Sequence, residues 1–133
     1  MSYYNLQFKQ QPVGHNMGHL HTHDFYELEF LLSGERNYFT KSQMYKLSAP
    51  ALLVLPPRST HKFESNGCEI YTLQISPETL GEDQRNFLNY LAKQGVITFP
   101  TQKLLIFYTE FLIVSNFECD SEWHSHAWKI GRC

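Results

Sequence analysis

Two histidines and a glutamate lie within one short segment of the sequence, at His21, His23 and Glu27. In an extended chain, residues of equal parity project to the same side, so these three side chains share one face of a strand. Two imidazoles and a carboxylate on one face begin a site for a divalent transition metal such as zinc, nickel, iron or manganese. His61, which follows Pro56-Pro57 at the start of another strand-like run, is placed to supply the fourth ligand.

The same segment also fits a site that holds no metal. An apolar face of opposite parity to Glu27 is formed by Tyr26, Leu28, Phe30 and Leu32. If that face lines the interior of the fold, Glu27 and its neighbour Glu29 point outward, unless a bulge shifts the register. If helices cover that face, the two carboxylates point inward. The sequence leaves both arrangements open.

Short strand-like runs separated by turn residues fill the first half of the chain. The runs are 6–9, 25–32, 36–40, 44–47, 51–55, 61–64 and 68–75. The turn signals between them include Ser33-Gly34, Lys41-Ser42-Gln43 and Ser65-Asn66-Gly67, together with the proline pair before His61. Many short strands at this spacing predict a mainly β fold, either a sandwich or a barrel.

The second half of the sequence changes to helical spacing. Ser76-Pro77 is a favourable helix start and predicts a helix near 77–93, and 96–99 is a further short strand candidate. Thr101 is a candidate N-cap for a second helix that ends near Phe117. Its apolar residues lie on more than one side, which predicts burial on more than one side. They are Leu104, Leu105, Ile106, Phe107, Phe111, Leu112, Ile113, Val114 and Phe117.

Charge and composition exclude several classes of protein. The chain of 133 residues suits one domain, and its 11 Lys and Arg against 13 Asp and Glu give a net charge of -2. Such a chain lacks the basic excess that phosphate binding needs, so these residues are not expected to contact DNA. No apolar stretch of about 18 residues predicts a membrane span. No signal peptide is visible, and three cysteines form no disulfide framework, which favours a cytoplasmic location.

The spacing of the histidine segment resembles the cupin superfamily. Its first motif, H-x-H, three or four residues, E, six residues, G, is matched in full by His21, His23, Glu27 and Gly34. The second motif is matched by Pro56 and His61, with Arg58 where the family has glycine. The resemblance covers about half of the chain. It implies a cupin-like double-stranded β-helix, or jelly-roll, barrel followed by C-terminal helices, with His21, His23, Glu27 and His61 as metal ligands.

The surroundings of these motifs are similar to the N-terminal sensor half of AraC-type transcription regulators. The resemblance is carried by HTHDFYELEFLLSGERNYF, by APALLVLPPRSTHKFE and by the apolar helical segment that follows. It implies an effector-binding barrel over 1–99, with a helix near 77–93 inserted or flanking, and a helical dimerisation segment over 100–133. It further implies a small-molecule effector, a homodimer, and DNA contacts made only through a helix-turn-helix domain absent from this chain.

Two sets of side chains are candidates for these roles. The effector-pocket candidates are Glu29, Tyr38, Tyr45, Phe63 and Tyr71. The predicted helix from Thr101 carries more apolar side chains than its own barrel can cover, and pairing two copies would bury the remainder. The dimer-interface candidates are Leu104, Phe107, Phe111, Leu112 and Val114.

Other functions compete with the regulator interpretation, which predicts no catalytic residue. A stand-alone metal-dependent cupin enzyme, of the dioxygenase or isomerase type, would need an acid or base beside the metal, and Glu29 and Tyr71 are the candidates. A barrel that stores or binds a small molecule without regulation is the third hypothesis. Near the C-terminus, Cys119, His124, His126 and Cys133 lack the ligand spacing of structural zinc sites.

Overall fold

A computed structural model describes residues 4–16 and 18–116 of the chain. Strands, numbered in chain order, are β1 Tyr4–Asn16, β2 Tyr26–Phe39, β3 Met44–Ser48, β4 Ala51–Leu55, β5 Lys62–Ile75 and β6 Ile97–Thr98. Helices are α1 Glu82–Lys93 and α2 Gln102–Asn116, and a short 3-10 turn spans Pro77–Thr79. The predicted mainly β fold with helices near the C-terminal end is confirmed. No helix in the described ranges is long and apolar enough to cross a membrane.

Strand β2 lies at the centre of an antiparallel sheet in the order β1-β5-β2-β4-β6. One edge of β2 pairs with β5 along its whole length. Its other edge pairs with β4 over residues 27–31 and with β3 over residues 35–39. Most of β2 therefore has a neighbouring strand on both sides, which holds the side chains of its inner face in fixed positions.

Strands β2 and β5 curl until their opposite ends meet. Lys62, at the start of β5, pairs with Phe39 at the end of β2. Yet Nε2 of the preceding residue, His61, lies only 3.3 Å from Oε2 of Glu27, near the start of β2. A straight strand would separate Glu27 from Phe39 by about 40 Å, so the sheet closes on itself as a barrel. Two backbone hydrogen bonds of 3.0 Å between His21 and His61 complete this closure.

A pair of glycines produces the bend in the two long strands. The pairing register of β2 with β5 shifts between Leu31 and Ser33 and again between Gly34 and Arg36. Gly34 has a φ of 80°, and a Cβ placed on it would lie 1.9 Å from the carbonyl oxygen of Gly67. Only glycine tolerates this approach and this backbone conformation.

The bulges correct the predicted strand boundaries. Apart from one terminal residue in three of them, the runs 25–32 and 36–40 lie within β2, and the runs 61–64 and 68–75 lie within β5. Strand β1 is also longer than the predicted run 6–9. The predicted breaks are wrong because Ser33-Gly34 and Ser65-Asn66-Gly67 form bulges inside paired strands rather than loops between strands.

The two faces of the sheet belong to separate apolar cores. On the outer face, Leu28 and Phe30 pack under the helices, with Leu88 of α1 and Leu105 of α2. On the inner face, side chains fill the barrel, and they include Leu31, Leu53, Leu55, Phe63 and Ile70. The helices therefore cover the apolar face of β2, and the carboxylates of opposite parity point into the barrel.

Helix α1 begins later than its sequence signals predict. Residues 77–79 form only the 3-10 turn, and the extended backbone of Leu80 separates it from α1. The hydroxyl of Ser76 pairs with that of Thr79 instead of capping the helix. Gly81 is the N-cap, and its N–H donates to Oε1 of Gln84 at 2.8 Å. The predicted start at Ser76-Pro77 is therefore wrong, whereas Thr101 accepts the N–H of Leu104 at 3.2 Å as expected of a cap.

Candidate metal and effector site

The barrel closure brings the four predicted metal ligands into one cluster. One ring nitrogen from each of His21, His23 and His61 lies within 4.8 Å of the others. Oε1 of Glu27 lies 3.9 Å from Nε2 of His23, and Oε2 lies 3.3 Å from Nε2 of His61. Three nitrogens and one carboxylate thus face a common point near the start of β2.

Backbone carbonyl groups orient two of the imidazole rings. Nδ1 of His61 lies 3.0 Å from the carbonyl oxygen of Ser59, and Nδ1 of His21 lies 3.3 Å from that of His19. Since a carbonyl oxygen only accepts hydrogen bonds, we assign the proton of each neutral ring to Nδ1. This tautomer leaves the Nε2 lone pair free to bind a metal, an arrangement typical of histidine ligands in metalloproteins.

The environment of His61 tests whether the cluster fits a cation. Its Nε2 is buried and lacks a hydrogen bond of good geometry. In the assigned tautomer, this lone pair faces a carboxylate oxygen of Glu27 at 3.3 Å, and two electron-rich atoms repel each other. A proton or a metal ion between them removes the repulsion. The donor set therefore fits a zinc-like divalent ion, for which histidine nitrogen and carboxylate oxygen are ordinary ligands.

Electrostatic interactions favour the metal-binding ionisation states. Burial lowers the pKa of His23, and this effect, supported by the neighbouring rings of His21 and His61, exceeds the opposing attraction of Glu27. Burial alone would raise the pKa of the Glu27 carboxyl, but its interactions with His61 and Gln74 outweigh this effect and lower the pKa. The cluster thus favours a neutral imidazole at His23 beside an ionised carboxylate, as metal binding requires.

A buried ion pair lies further inside the barrel. Nη1 of Arg36 donates to Oε1 of Glu29 at 2.8 Å, and the guanidinium lies 3.8 Å above the ring of Phe63. Burial raises the pKa of Glu29 and the charge of Arg36 opposes this shift. Arg36 was not among the residues predicted from the sequence. The bulges in the long strands bring Glu29 and Arg36 to the same face of the sheet. In the sequence, the only indication of this buried pair was the presence of an arginine among strand residues.

The predicted effector-pocket residues divide between two faces of the sheet. Glu29 and Phe63 face the barrel interior, and Tyr38 lies beside Phe63 with ring centroids 5.4 Å apart. Tyr45 stacks on Tyr38 at 5.8 Å. Tyr71 does not join them, because its parity in β5 places it in the helix-side core, where it is fully buried 5.1 Å from the ring of Phe8. The assignment of Tyr71 to the pocket is therefore corrected.

Helix α2 exposes three of the predicted dimer residues. Leu104, Phe107 and Phe111 are 48%, 71% and 62% exposed, and they line an open apolar cavity of about 450 Å³ together with Phe99 and Tyr108. Leu112 is only 1% exposed and packs in the helix-side core, so its assignment to the dimer interface is corrected. The side chain of Val114 lies outside the described residues. So do Phe117 and the tail with Cys119, His124, His126 and Cys133.

Comparison with known proteins identifies relatives of this barrel. The sequence matches the AraC-like ligand binding domain family over residues 8–102. No curated protein matches it. The structure is similar to a cupin protein from Bacteroides fragilis, with a TM-score of 0.54 and 17% identity, covering 59% of this chain and 70% of that chain.

Two further solved structures share the fold at low identity. A conserved protein of unknown function from Streptococcus pyogenes gives a TM-score of 0.52 at 15% identity, over 56% of this chain and 65% of that one. A cupin superfamily protein from Desulfitobacterium hafniense DCB-2 gives 0.51 at 15% identity, over 55% and 67%. The match thus spans less than two thirds of the length of the streptococcal protein. These similarities confirm the predicted cupin-like fold.

Proposed function

The chain belongs to the AraC-like ligand binding domain family, and on that basis we propose that it is the ligand-sensing and dimerisation domain of an AraC-type transcription regulator. A small-molecule effector binds in the barrel and alters the activity of the DNA-binding domain of that regulator. The proposed location is the cytoplasm, where the regulated genes are. The net charge of -2 agrees with DNA contacts made elsewhere.

The observation that carries this proposal is a set of buried polar atoms directed into the barrel. Nε2 of His61, Oε2 of Glu29 and Nε of Arg36 are buried and lack a hydrogen bond of good geometry. A buried polar atom without a partner costs about 1–3 kcal/mol. A ligand that satisfies such atoms recovers that free energy on binding. The interior is therefore better suited to receive a polar molecule than to serve only as packing.

A divalent metal is part of the proposed site. His21, His23, Glu27 and His61 would hold it, and a bound metal would attract an oxygen or nitrogen atom of the effector. The alternative, in which the effector contacts the same side chains directly, keeps the sensing function. A chelator therefore separates the two versions.

The exposed face of α2 supports the dimerisation part of the proposal. Leu104, Phe107 and Phe111 form an apolar surface that a second copy of the chain would cover. A two-fold pairing uses the same patch twice and closes without further assembly. It would place two DNA-reading domains on paired half-sites. An effector then acts through its different affinities for two arrangements of this assembly.

A thermal-shift screen of small metabolites, run with and without a chelator, tests the proposal. We expect one chemical class to raise the melting temperature, since a ligand that binds only the folded state stabilises it. His61→Ala should abolish the shift, and His15→Ala should preserve it because His15 is exposed and lies outside the cluster. A screen in which no compound acts through His61 would contradict effector binding in the barrel.

A metal-dependent cupin enzyme is the second candidate, and the ligand set of three nitrogens and one carboxylate favours it. Its acid–base candidates are less well placed, because Tyr71 faces the helices and Glu29 is paired with Arg36. Mass spectrometry of each stabilising compound after incubation with the metal-loaded protein distinguishes the two functions. A sensor returns the compound unchanged, and an enzyme releases a product.

A further inference from the structure

A groove of about 280 Å³ opens where the barrel meets the end of α1. On the barrel side it is lined by Tyr38, Tyr45 and Leu55, and on the helix side by Ala92 and Val96. The histidines of the metal cluster are not among its lining residues. The groove therefore does not include the histidine cluster, although Leu55 also belongs to the inner core of the barrel.

The chemistry of the groove selects one kind of ligand. Its polar side chains are hydroxyls, from Tyr38, Thr40, Tyr45 and Ser59, and none of its lining residues carries a charge. A charged ligand would lose its hydration here without gaining an opposite charge. The rings of Tyr38 and Tyr45 stack on each other, 26° from parallel, and supply aromatic surface to the groove.

We propose that this groove is a second ligand site, which takes an uncharged planar ring compound with hydroxyl-type substituents. Its volume lies near the lower limit for small-molecule pockets, which suits a ligand of one or two fused rings. Burial raises the pKa of Tyr38, so its phenol stays protonated and can donate a hydrogen bond to the ligand. A ligand in this groove would add a second input to the sensing function proposed above. Only its regulatory effect rests on that function, and binding itself does not.

One wall of the groove also positions the histidines. Ser59 lines the groove, and its carbonyl oxygen accepts the hydrogen bond from Nδ1 of His61. The next residue back, Arg58, donates its N–H to the carbonyl oxygen of His23 at 2.7 Å. The hydroxyl of Ser59 donates to the carbonyl oxygen of Pro56 at 2.9 Å, which fixes the turn. A ligand that presses on this turn therefore acts on two of the four metal ligands.

A second set of contacts joins the same two sites. Tyr38 of the groove lies 5.4 Å from Phe63, and Phe63 lies 5.7 Å from His61, each measured between ring centroids. On its helix side, the groove reaches Val96, the residue before β6. The chain then continues from β6 into α2. Occupancy of the groove is thus positioned to influence both the histidine cluster and the exposed helix.

Binding of 2-naphthol, followed by its fluorescence, tests the site. We expect saturable binding, and binding at least about tenfold weaker for the anion 2-naphthoate, because burying its charge is unfavourable. Tyr45→Ala removes one of the two aromatic rings that line the groove and should weaken 2-naphthol binding by about fivefold to tenfold. Met44→Ala, the adjacent exposed residue outside the groove, should leave it unchanged. Equal binding of the two compounds, or no effect of Tyr45→Ala, would overturn the assignment.

Two further measurements separate this site from the barrel site. His21→Ala removes a candidate metal ligand but no atom of the groove, so 2-naphthol should bind this variant normally. Loss of binding would place the ring in the barrel and refute the proposal. In the metal-free protein, 2-naphthol should shift the NMR signals of the His61 ring through Ser59, and this shift should disappear in Tyr45→Ala. Unchanged His61 signals at saturation would refute the connection between the two sites.

Discussion

Gly34 approaches Gly67 so closely that no side chain fits between the two strands. A Cβ on Gly34 would lie 1.9 Å from the Gly67 carbonyl oxygen and 2.8 Å from Cα of Cys68. Both contacts are to backbone, which cannot rotate away as a side chain could. The curvature that closes the barrel therefore depends on this position, and it can be tested independently of any ligand.

Gly34→Ala should destabilise the domain by about 4 kcal/mol, from about 1–3 kcal/mol of backbone strain at a positive φ and a similar cost of overpacking. Gly14→Ala is the matched control, because Gly14 has a φ of 88° but nothing within 4 Å of the added Cβ. Urea unfolding of both variants gives the two free energies. Equal losses would show that the contact with Gly67 contributes nothing beyond strain.

The Glu29–Arg36 pair predicts a non-additive pattern of stabilities. Arg36→Met leaves Glu29 buried without its partner and should cost about 3–5 kcal/mol of unfolding free energy. Adding Glu29→Leu should recover most of this loss, because the double variant buries no uncompensated charge. A double-mutant cycle by urea denaturation measures the coupling. Additive losses would mean that the two side chains do not depend on each other.

Metal binding should depend on His61 more than on any exposed histidine. His61→Ala should weaken zinc binding by more than about 100-fold, since loss of a direct ligand exceeds the 10–100-fold cost of losing an orienting group. His15 lies outside the cluster, so His15→Ala should leave the zinc affinity unchanged. Titration calorimetry against a competing chelator measures both affinities. Equal zinc affinities in the two variants would place the ion elsewhere.

Assembly should respond differently to two neighbouring residues of α2. Phe111→Glu should convert a dimer into a monomer, because it places a charge in the proposed apolar interface. The monomer should stay folded, because Phe111 is 62% exposed and lies outside the core. Leu112→Glu should instead unfold the domain, because Leu112 is 1% exposed and its charge would be buried. Lys103→Glu, at an exposed polar position of the same helix, is the control for added negative charge.

Sedimentation velocity and thermal melting together separate these outcomes. The unmodified chain should sediment as a dimer at micromolar concentration, and the Lys103→Glu variant should do the same. A monomeric unmodified chain would contradict the interface on α2.

The sequence contained enough information to identify the histidine cluster and the class of fold. His21, His23 and Glu27 lie on one strand face by simple alternation, and His61 follows from its place after the Pro56-Pro57 pair. Which face of β2 points inward was not predictable, because an apolar face fits a barrel interior as well as a helix-covered exterior. Only the packing of α1 and α2 decides between them.

The features that were missed share one physical cause. A bulge reverses the alternation of a strand, so Glu29 and Arg36, of opposite parity, come to the same face. Glycine is typical of bulges and of turns alike, so a single sequence does not show which of the two structures forms at Gly34 and Gly67. The same ambiguity concealed the full length of β2 and β5.

The bridge between His21 and His61 has a consequence for the order in which the barrel forms. Forming this bridge closes a long loop of chain. The conformational entropy of that loop is lost before any contact within the histidine cluster is gained. We therefore expect these contacts to form after the folding transition state. Interactions of that kind act mainly on the unfolding rate. An ion or effector held by the cluster should prolong the lifetime of the folded domain while leaving its folding rate nearly unchanged.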